Sequence, residues 1–163
     1  MSDEQTSVEV KTTGPSYLGW RGELLAELAL ARVPGLTVHK RPERRPSEQA
    51  YDFLVATDHG FCFFVEVRAF SSSRQNVANI EAVSELRWSL DAELIRRARE
   101  SLSPVILFLF DADTDHGRYL RLDTLPAPEA VARRLTIRLP LKFTINKGSL
   151  EKLLTDLQCT VRS

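Results

Sequence analysis

The chain has 163 residues, of which 43% are hydrophobic and 27% are charged, and its 22 basic and 22 acidic side chains give no net charge at pH 7. These values are typical of one soluble domain with a buried core, and they exclude a disordered chain and a membrane-spanning one. Zero net charge provides no general attraction for nucleic acid, so binding of that kind has to depend on local basic clusters.

Polar residues without hydrophobic periodicity open the chain, and they predict a flexible tail over residues 1–14. We expect residues 15–163 to form a single domain, with a core over about residues 17–110 and a C-terminal extension over about residues 111–163. The opening residues have no signal-peptide pattern, and the two cysteines lack metal-ligand spacing. A cytoplasmic protein with reduced cysteines is therefore expected.

Leucines at helical spacing predict a first helix from about Tyr17 to Arg32, with Ser16 as its N-cap. The Pro-Gly pair at 34–35 supplies the end of this helix. A short strand is predicted next, from Leu36 to Lys40.

The segment from Tyr51 to Phe70 predicts a β-hairpin, because two β-rich runs flank the turn sequence Asp-His-Gly at 58–60. A three-residue loop would pair the runs so that Asp52 lies opposite Glu66, on the face away from the apolar side chains. With a loop of two or four residues, Asp52 would instead face Val67. The acidic pair therefore depends on the register.

Two carboxylates directly opposite each other destabilise a strand pair by about 0.2–1 kcal/mol, and nothing else in the hairpin offsets this repulsion. A divalent cation between Asp52 and Glu66 would do so. Mg²⁺ and Mn²⁺ prefer hard oxygen ligands and are often held by one or two carboxylates together with water and a substrate phosphate.

A long helix is predicted from about Ala78 to Leu102, with a buried face marked by apolar residues at helical spacing: Val83, Leu86, Leu90, Leu94 and Ile95. Arginines 96, 97 and 99 in its final turns suit the helix dipole. They could also reach a substrate backbone, but the dipole explanation is preferred.

The apolar run from Val105 to Phe110 predicts a buried central strand, paired as a hairpin with a strand from Tyr119 to Leu122. Three aspartates between these strands, at positions 111, 113 and 115, lack the glycine and glutamate of a calcium loop and are interpreted as a solvated turn. Pro140 predicts an edge strand or a break. A last amphipathic helix, capped by Ser149, would pack on the sheet or form a dimer contact.

The hairpin resembles the signature of the PD-(D/E)XK nuclease superfamily, in which an acidic residue on one strand precedes Asp or Glu, any residue, and Lys on the next strand. The matching positions here are Asp52, Glu66, Val67 and Arg68. Many members add a glutamate from a preceding helix, and the first predicted helix offers Glu23, with Glu27 as a second candidate. The resemblance covers roughly residues 17 to 110.

This resemblance implies an α/β, restriction-endonuclease-like fold: an αβββαβ core with a mixed central sheet flanked by helices, plus a C-terminal strand and helix. It also implies a metal-dependent nuclease in which Asp52, Glu66 and Glu23 hold Mg²⁺ or Mn²⁺. The departure is Arg68, which stands where the family has lysine. A guanidinium stays protonated, so Arg68 would stabilise phosphate charge but could not act as a base. A domain that has lost catalysis and acts as a DNA-binding or protein-interaction module is the alternative.

Basic residues flank the two predicted acidic positions and are the candidates for contacts with nucleic acid: Lys40, Arg41, Arg44, Arg45 and Arg74. Contacts from such side chains to phosphates would position a duplex without reading its sequence. A solvated loop is the alternative interpretation of the cluster at 40–45. Double-stranded DNA is the partner implied by the resemblance, and a homodimer is a further expectation.

Overall fold

The computed structural model describes residues 6–11, 17–41 and 51–161, with Val161 described by its backbone alone. Within these ranges the chain forms eight strands and three α-helices. In chain order they are β1 (Ser7–Val10), α1 (Tyr17–Ala31), β2 (Leu36–Lys40), β3 (Phe53–Thr57), β4 (Cys62–Phe70), β5 (Glu85–Asp91), α2 (Ala92–Glu100), β6 (Val105–Asp111), β7 (Gly117–Arg121), β8 (Arg134–Pro140) and α3 (Lys147–Val161).

The larger sheet is mixed and has five strands in the order β2-β3-β4-β6-β7. Strands β2, β3 and β4 form an antiparallel meander, β4 runs parallel to β6, and β6 and β7 form the predicted second hairpin. A smaller sheet has the order β1-β5-β8. The α/β class with a mixed sheet is therefore confirmed, while the three-stranded sheet was not predicted.

The register of the first hairpin is the predicted one. The Thr57 N–H donates to the Phe61 carbonyl at 2.9 Å, and Gly60 has a φ of +83°. Phe53 lies opposite Val65 as a result. The left-handed conformation at Gly60 is the reason that glycine suits this position of the loop.

Each face of the five-stranded sheet has its own apolar cluster. On one face, α1 and α3 cover the sheet, and Leu150, Leu153 and Leu157 of α3 are buried there. The last helix therefore packs on the sheet, which is one of the two predicted alternatives. The opposite face is covered by α2 and by the inner side of the three-stranded sheet. A central strand buried on both sides, β6, follows from this layering.

The predicted long helix from Ala78 to Leu102 is wrong. A short 3₁₀ turn, strand β5 and then α2 occupy this segment. Leu86, Trp88 and Leu90 are buried while their neighbours are half-buried, which is the two-residue period of a strand. The helical interpretation relied on Leu86 and Leu90. These leucines are four residues apart, a spacing that fits one face of a helix and also one face of a strand.

Two predictions about the ends of elements also need correction. The tail predicted over residues 1–14 contains strand β1, which pairs in parallel with β5. Ser149 does not occupy the cap of α3, because the Asn146 carboxamide oxygen accepts from the Ser149 N–H at 2.8 Å, and the Ser149 hydroxyl accepts from the Asn146 N–H at 3.0 Å. This reciprocal arrangement is a capping box. Ser16, the predicted cap of α1, lies outside the described residues.

Strand β8 is an edge strand of the smaller sheet, as Pro140 predicted. In the turn predicted to be solvated, Asp113 and Asp115 are exposed as expected, but the Asp111 carboxylate is fully buried. It accepts hydrogen bonds from the Ser72 N–H at 2.9 Å and from the hydroxyls of Ser72 and Thr114 at 2.7 and 2.8 Å. Asp111 therefore ties the end of β6 to the end of β4.

Arg118 on β7 is fully buried and links the two sheets. Its guanidinium donates to the main-chain carbonyls of Leu139 on β8, at 2.9 Å, and of Ile80 and Val83 in the segment before β5. Its Nε also donates to His116 Nε2 at 3.2 Å. Burial lowers the pKa of Arg118 to about 10, which still leaves the side chain charged at neutral pH.

No helix of the described residues is long and apolar enough to cross a membrane.

Replacement of Arg118 with methionine is expected to destabilise the protein by about 3 kcal/mol, because three buried carbonyls lose their donor while the chain keeps a side chain of similar length. Urea unfolding followed by circular dichroism measures this loss. The exposed Arg133→Met variant is the control, and equal stability of the two variants would contradict the role of Arg118 as a link between the sheets.

The stability of the protein is expected to fall as the pH drops below about 6.5. Burial first, and the Arg118 charge second, lower the pKa of His116. The unfolded chain therefore binds a proton at His116 at a higher pH than the folded chain does, and acid favours unfolding. Thermal unfolding from pH 8 to pH 5 should show a smaller loss of stability for His116→Gln than for the wild type; parallel curves would exclude His116 as a source of the pH dependence.

Candidate metal and phosphate site

Asp52 directly precedes β3 and is bound to the main chain of β4, on the side of β4 that pairs with β3. Its main-chain carbonyl accepts from the Arg41 N–H at 3.0 Å, which extends the pairing of β2 beyond the bounds of β3. Its carboxylate oxygen Oδ2 accepts from the Val67 N–H at 2.7 Å. Phe53 is the first paired residue of β3 and lies opposite Val65, so continuing the register by one residue brings Asp52 next to Glu66. The predicted register is therefore present up to Phe53, while the Asp52 carboxylate itself is bound to the main chain of β4.

Glu66 and Arg68 lie two residues apart on β4, on the same face of the strand, and form an ion pair. Arg68 Nη1 donates to Glu66 Oε1 and, at 3.0 Å, to the Val67 carbonyl. The Glu66 residue is 2% exposed, whereas the Arg68 side chain is 35% exposed. Removing one partner of a buried ion pair is strongly destabilising, so charge compensation of Glu66 is a sufficient structural reason for Arg68.

Glu23 on α1 is engaged by Lys40 at the end of β2, with Nζ 3.0 Å from the carboxylate oxygen Oε2. The hydrogen bond with Glu23 raises the pKa of Lys40, and the charges of Glu23, Glu27 and Asp52 act in the same direction. Lys40 is consequently protonated at neutral pH and is not available as a base. A predicted metal ligand and a predicted phosphate contact are thus paired with each other.

The donor set suits a hard divalent cation only in part. Among the described residues, no three His, Cys, Asp or Glu side chains are grouped so that they could hold a metal ion. Glu23 therefore does not join Asp52 and Glu66 in a preformed site of three carboxylates. Two carboxylates with water and a phosphate oxygen would still match the ligands that Mg²⁺ commonly takes in proteins.

Helix α1 lies close to the strand that carries Glu66 because of one glycine. A Cβ on Gly22 would meet the Ala69 Cβ at 3.0 Å and the Val67 Cγ1 at 3.2 Å. Any larger side chain would push the helix away from β4. Gly22 thereby determines how near Glu23 can come to the residues of β4.

An aromatic and basic wall beside Glu66 was not predicted. The rings of Tyr51 and Phe64 have centroids 5.1 Å apart, and the Arg41 guanidinium lies 5.4 Å from the Phe64 centroid. Burial raises the pKa of Tyr51, the charge of Arg97 lowers it, and the charge of Glu66 raises it. Tyr51 therefore lies close enough to both Arg97 and Glu66 for each charge to affect its pKa.

Arg97 differs from the other arginines of α2. Arg96 donates to three carbonyls in the loop at 129–132, and Arg99 donates to the Leu125 carbonyl. Arg97 Nε is shielded from solvent and has no hydrogen-bond acceptor among the described residues. The three arginines cannot be distinguished by local sequence pattern, because the loop that engages two of them is distant along the chain.

The predicted basic contacts have different outcomes. Lys40 and Arg41 flank Asp52, in the pairings given above. Arg44 and Arg45 lie outside the described residues. Arg74 is exposed beyond the end of β4. Its charge lowers the pKa of Asp113, in addition to the larger effect of the hydrogen bonds that Ser71 and Ser73 donate to that carboxylate.

Comparison with protein-family models finds no match to the chain, and a search of curated proteins finds none either. Function has to be argued from the site itself.

Asp52→Ala is expected to destabilise the protein by about 2 kcal/mol, because the Val67 N–H loses a charged acceptor at the edge of β4. Asp52→Asn retains an acceptor oxygen and should lose less than half of that. Urea unfolding of both variants tests the difference. Equal stability of the alanine variant and the wild type would show that the carboxylate does not hold this edge.

Proposed function

We propose that the chain is a metal-dependent nuclease that hydrolyses phosphodiester bonds in DNA, as its resemblance to the PD-(D/E)XK superfamily implies. The observation that carries the proposal is the hairpin register, which sets Asp52 opposite Glu66 at the edge of β4. If the acidic residue and the Glu-x-Arg segment occurred together by chance, registers shifted by one residue, which separate Asp52 from Glu66, would be equally expected.

The order of elements supports the same proposal. Helix α1, the meander β2-β3-β4, helix α2 and strand β6 follow one another as an αβββαβ core, with β6 parallel to β4. Strand β5 is inserted between β4 and α2 and joins the smaller sheet. The insertion leaves the pairing of the core strands intact.

Asp52 and Glu66 would hold the cation, with Glu23 as a third ligand after release from Lys40. When bound, Mg²⁺ supplies a water of lowered pKa and neutralises charge on the scissile phosphate. Arg68 would leave Glu66 for the phosphate, which its planar fork can bind through two hydrogen bonds. Its role would be to stabilise developing negative charge.

Three further basic side chains would position the substrate backbone: Arg41, Arg97 and Lys40. Arg41 lies at the end of β2 next to Asp52, and Arg97 acts on Tyr51 from α2. Lys40 would become available to a phosphate if Glu23 turned to the metal. Contacts of this kind are independent of base sequence, so we expect cleavage with little sequence preference.

One observation favours the alternative function, a nuclease-like module that binds DNA or protein without cleaving it. Glu66 is buried, and Arg68 already compensates its charge. The Glu66–Arg68 ion pair would then take the place of the family's lysine and bound metal. It would keep the site folded but could not activate water for hydrolysis. Activity measurements distinguish the two functions.

The purified protein is expected to nick supercoiled plasmid DNA in the presence of Mg²⁺ or Mn²⁺, and EDTA should abolish nicking. Asp52→Asn and Glu66→Gln should each lower the rate at least about 100-fold, because each removes a charged ligand of the metal. Asp156→Asn, which removes an exposed carboxylate on α3, is the matched control and should cleave at the wild-type rate.

Arg68→Lys separates the two functions further. A rate equal to or above that of the wild type would identify position 68 as the phosphate-stabilising site. If folded wild-type protein cleaves no faster than Asp52→Asn, the nuclease proposal is wrong, and DNA binding by the same samples would then support the non-cleaving module.

A further inference from the structure

A cavity of about 370 Å³ lies on the outer face of the three-stranded sheet, away from the five-stranded sheet that carries Glu66. We propose that it binds a small phosphorylated ligand through two arginines. Its lining residues are Ser7, Ser84, Glu85, Arg87, Arg138 and Pro140. The proposal does not depend on nuclease activity, since no residue of the candidate site lines this cavity.

Strand alternation sets both arginines on the outer face. Leu86 and Trp88 of β5 are buried against the inner cluster, so Arg87 between them points the other way. The register of β5 and β8 then puts Arg87 directly opposite Arg138. Like charges in this position destabilise a strand pair. A bound anion would reverse the sign of that interaction.

The one carboxylate in the cavity does not satisfy both arginines. Glu85 Oε1 lies 3.6 Å from Arg138 Nη1 and 3.4 Å from the Ser7 hydroxyl. Both distances exceed the usual range of about 2.7–3.2 Å for a good hydrogen bond. The two guanidinium groups carry ten N–H donors between them, against one loosely held carboxylate. Most of their donor capacity faces the cavity or solvent.

Arg87 provides the second observation that points to a ligand. Its Nε is shielded from solvent and has no hydrogen-bond acceptor among the described residues. Glu9 on β1 is opposite Arg87 in the register, but within the described part of the chain Arg87 forms no ion pair with it. A buried donor without an acceptor destabilises the fold, and a bound oxyanion would supply the missing acceptor.

Phosphate matches this arrangement better than a carboxylate does. A carboxylate has two oxygens and is saturated by a single planar fork, whereas a phosphate monoester has three peripheral oxygens that two arginines can share. The Ser7 hydroxyl is an additional donor at the rim. The cavity volume lies within the usual range for small-molecule sites, about 300–1,000 Å³, so the ligand has room for a group beyond the phosphate.

The test is binding of inorganic phosphate and of a nucleoside 5′-monophosphate to the full-length protein by isothermal titration calorimetry, at constant ionic strength. Arg87→Gln and Arg138→Gln should each weaken binding at least about tenfold. Arg134→Gln removes the same charge from the same strand and face outside the cavity, and it should bind like the wild type. Tighter binding of the monophosphate would identify a nucleotide-like ligand, and equal binding would identify the free anion; both support the site.

Circular dichroism and thermal unfolding with and without phosphate establish that each variant is folded. The expected upward shift of Tm in phosphate should be present in the wild type and in Arg134→Gln, and absent in the other two variants. The proposal is overturned if the folded wild type binds neither probe saturably. It is also overturned if Arg87→Gln and Arg138→Gln bind as tightly as the wild type.

Discussion

The three-residue loop between β3 and β4 is the constraint on which the candidate site depends. A shift of one residue in this register would move every side chain of β3 to the opposite face of the sheet. Phe53 and Val55 are fully buried beneath α1 and α3, and such a shift would replace them there with Leu54 and Ala56, which are smaller or differently shaped and would not fill the same space. Burial of one face therefore enforces the acidic pair on the other. Asp52 and Glu66 are held together by hydrophobic packing that neither of them takes part in.

Charge compensation is the second feature that organises the site. Arg68 pairs with Glu66, and Lys40 pairs with Glu23. Each pair joins a residue expected to bind metal with one expected to bind phosphate. Binding of a cation by the carboxylates would release both basic side chains at the moment when a phosphate needs them. Metal and substrate would then bind cooperatively, through an exchange of partners among four charged groups. Without a metal the same pairs neutralise both carboxylates, of which Glu66 is buried, and a non-cleaving module also requires this.

Local patterns predicted those parts of the fold in which one period dominates the sequence. The hairpin, α1 and β6 followed from alternation, helical spacing and a continuous apolar run. Strand β5 was missed because Leu86 and Leu90 fit a helix as well as a strand, and only Trp88 between them distinguishes the two periods. The buried state of Arg118 could not be predicted at all, since its acceptors are main-chain carbonyls that tertiary structure brings together. For the same reason the sequence predicted the pairing of Asp52 with Glu66 but not the pairing of Lys40 with Glu23.

Strand β5 also limits how a substrate could reach the proposed site. It builds the smaller sheet, which together with α2 covers the face of the five-stranded sheet where Glu66 lies. Glu66 is 2% exposed, so a substrate could not reach it directly from this face. Among the described residues, the Arg68 side chain is partly exposed beside Asp52, and Arg41 follows the end of β2. A nucleic-acid backbone that entered on this side would contact these arginines before it reached the carboxylates. Electrostatic attraction would therefore guide a phosphate to the proposed metal ligands, although the protein as a whole carries no net charge.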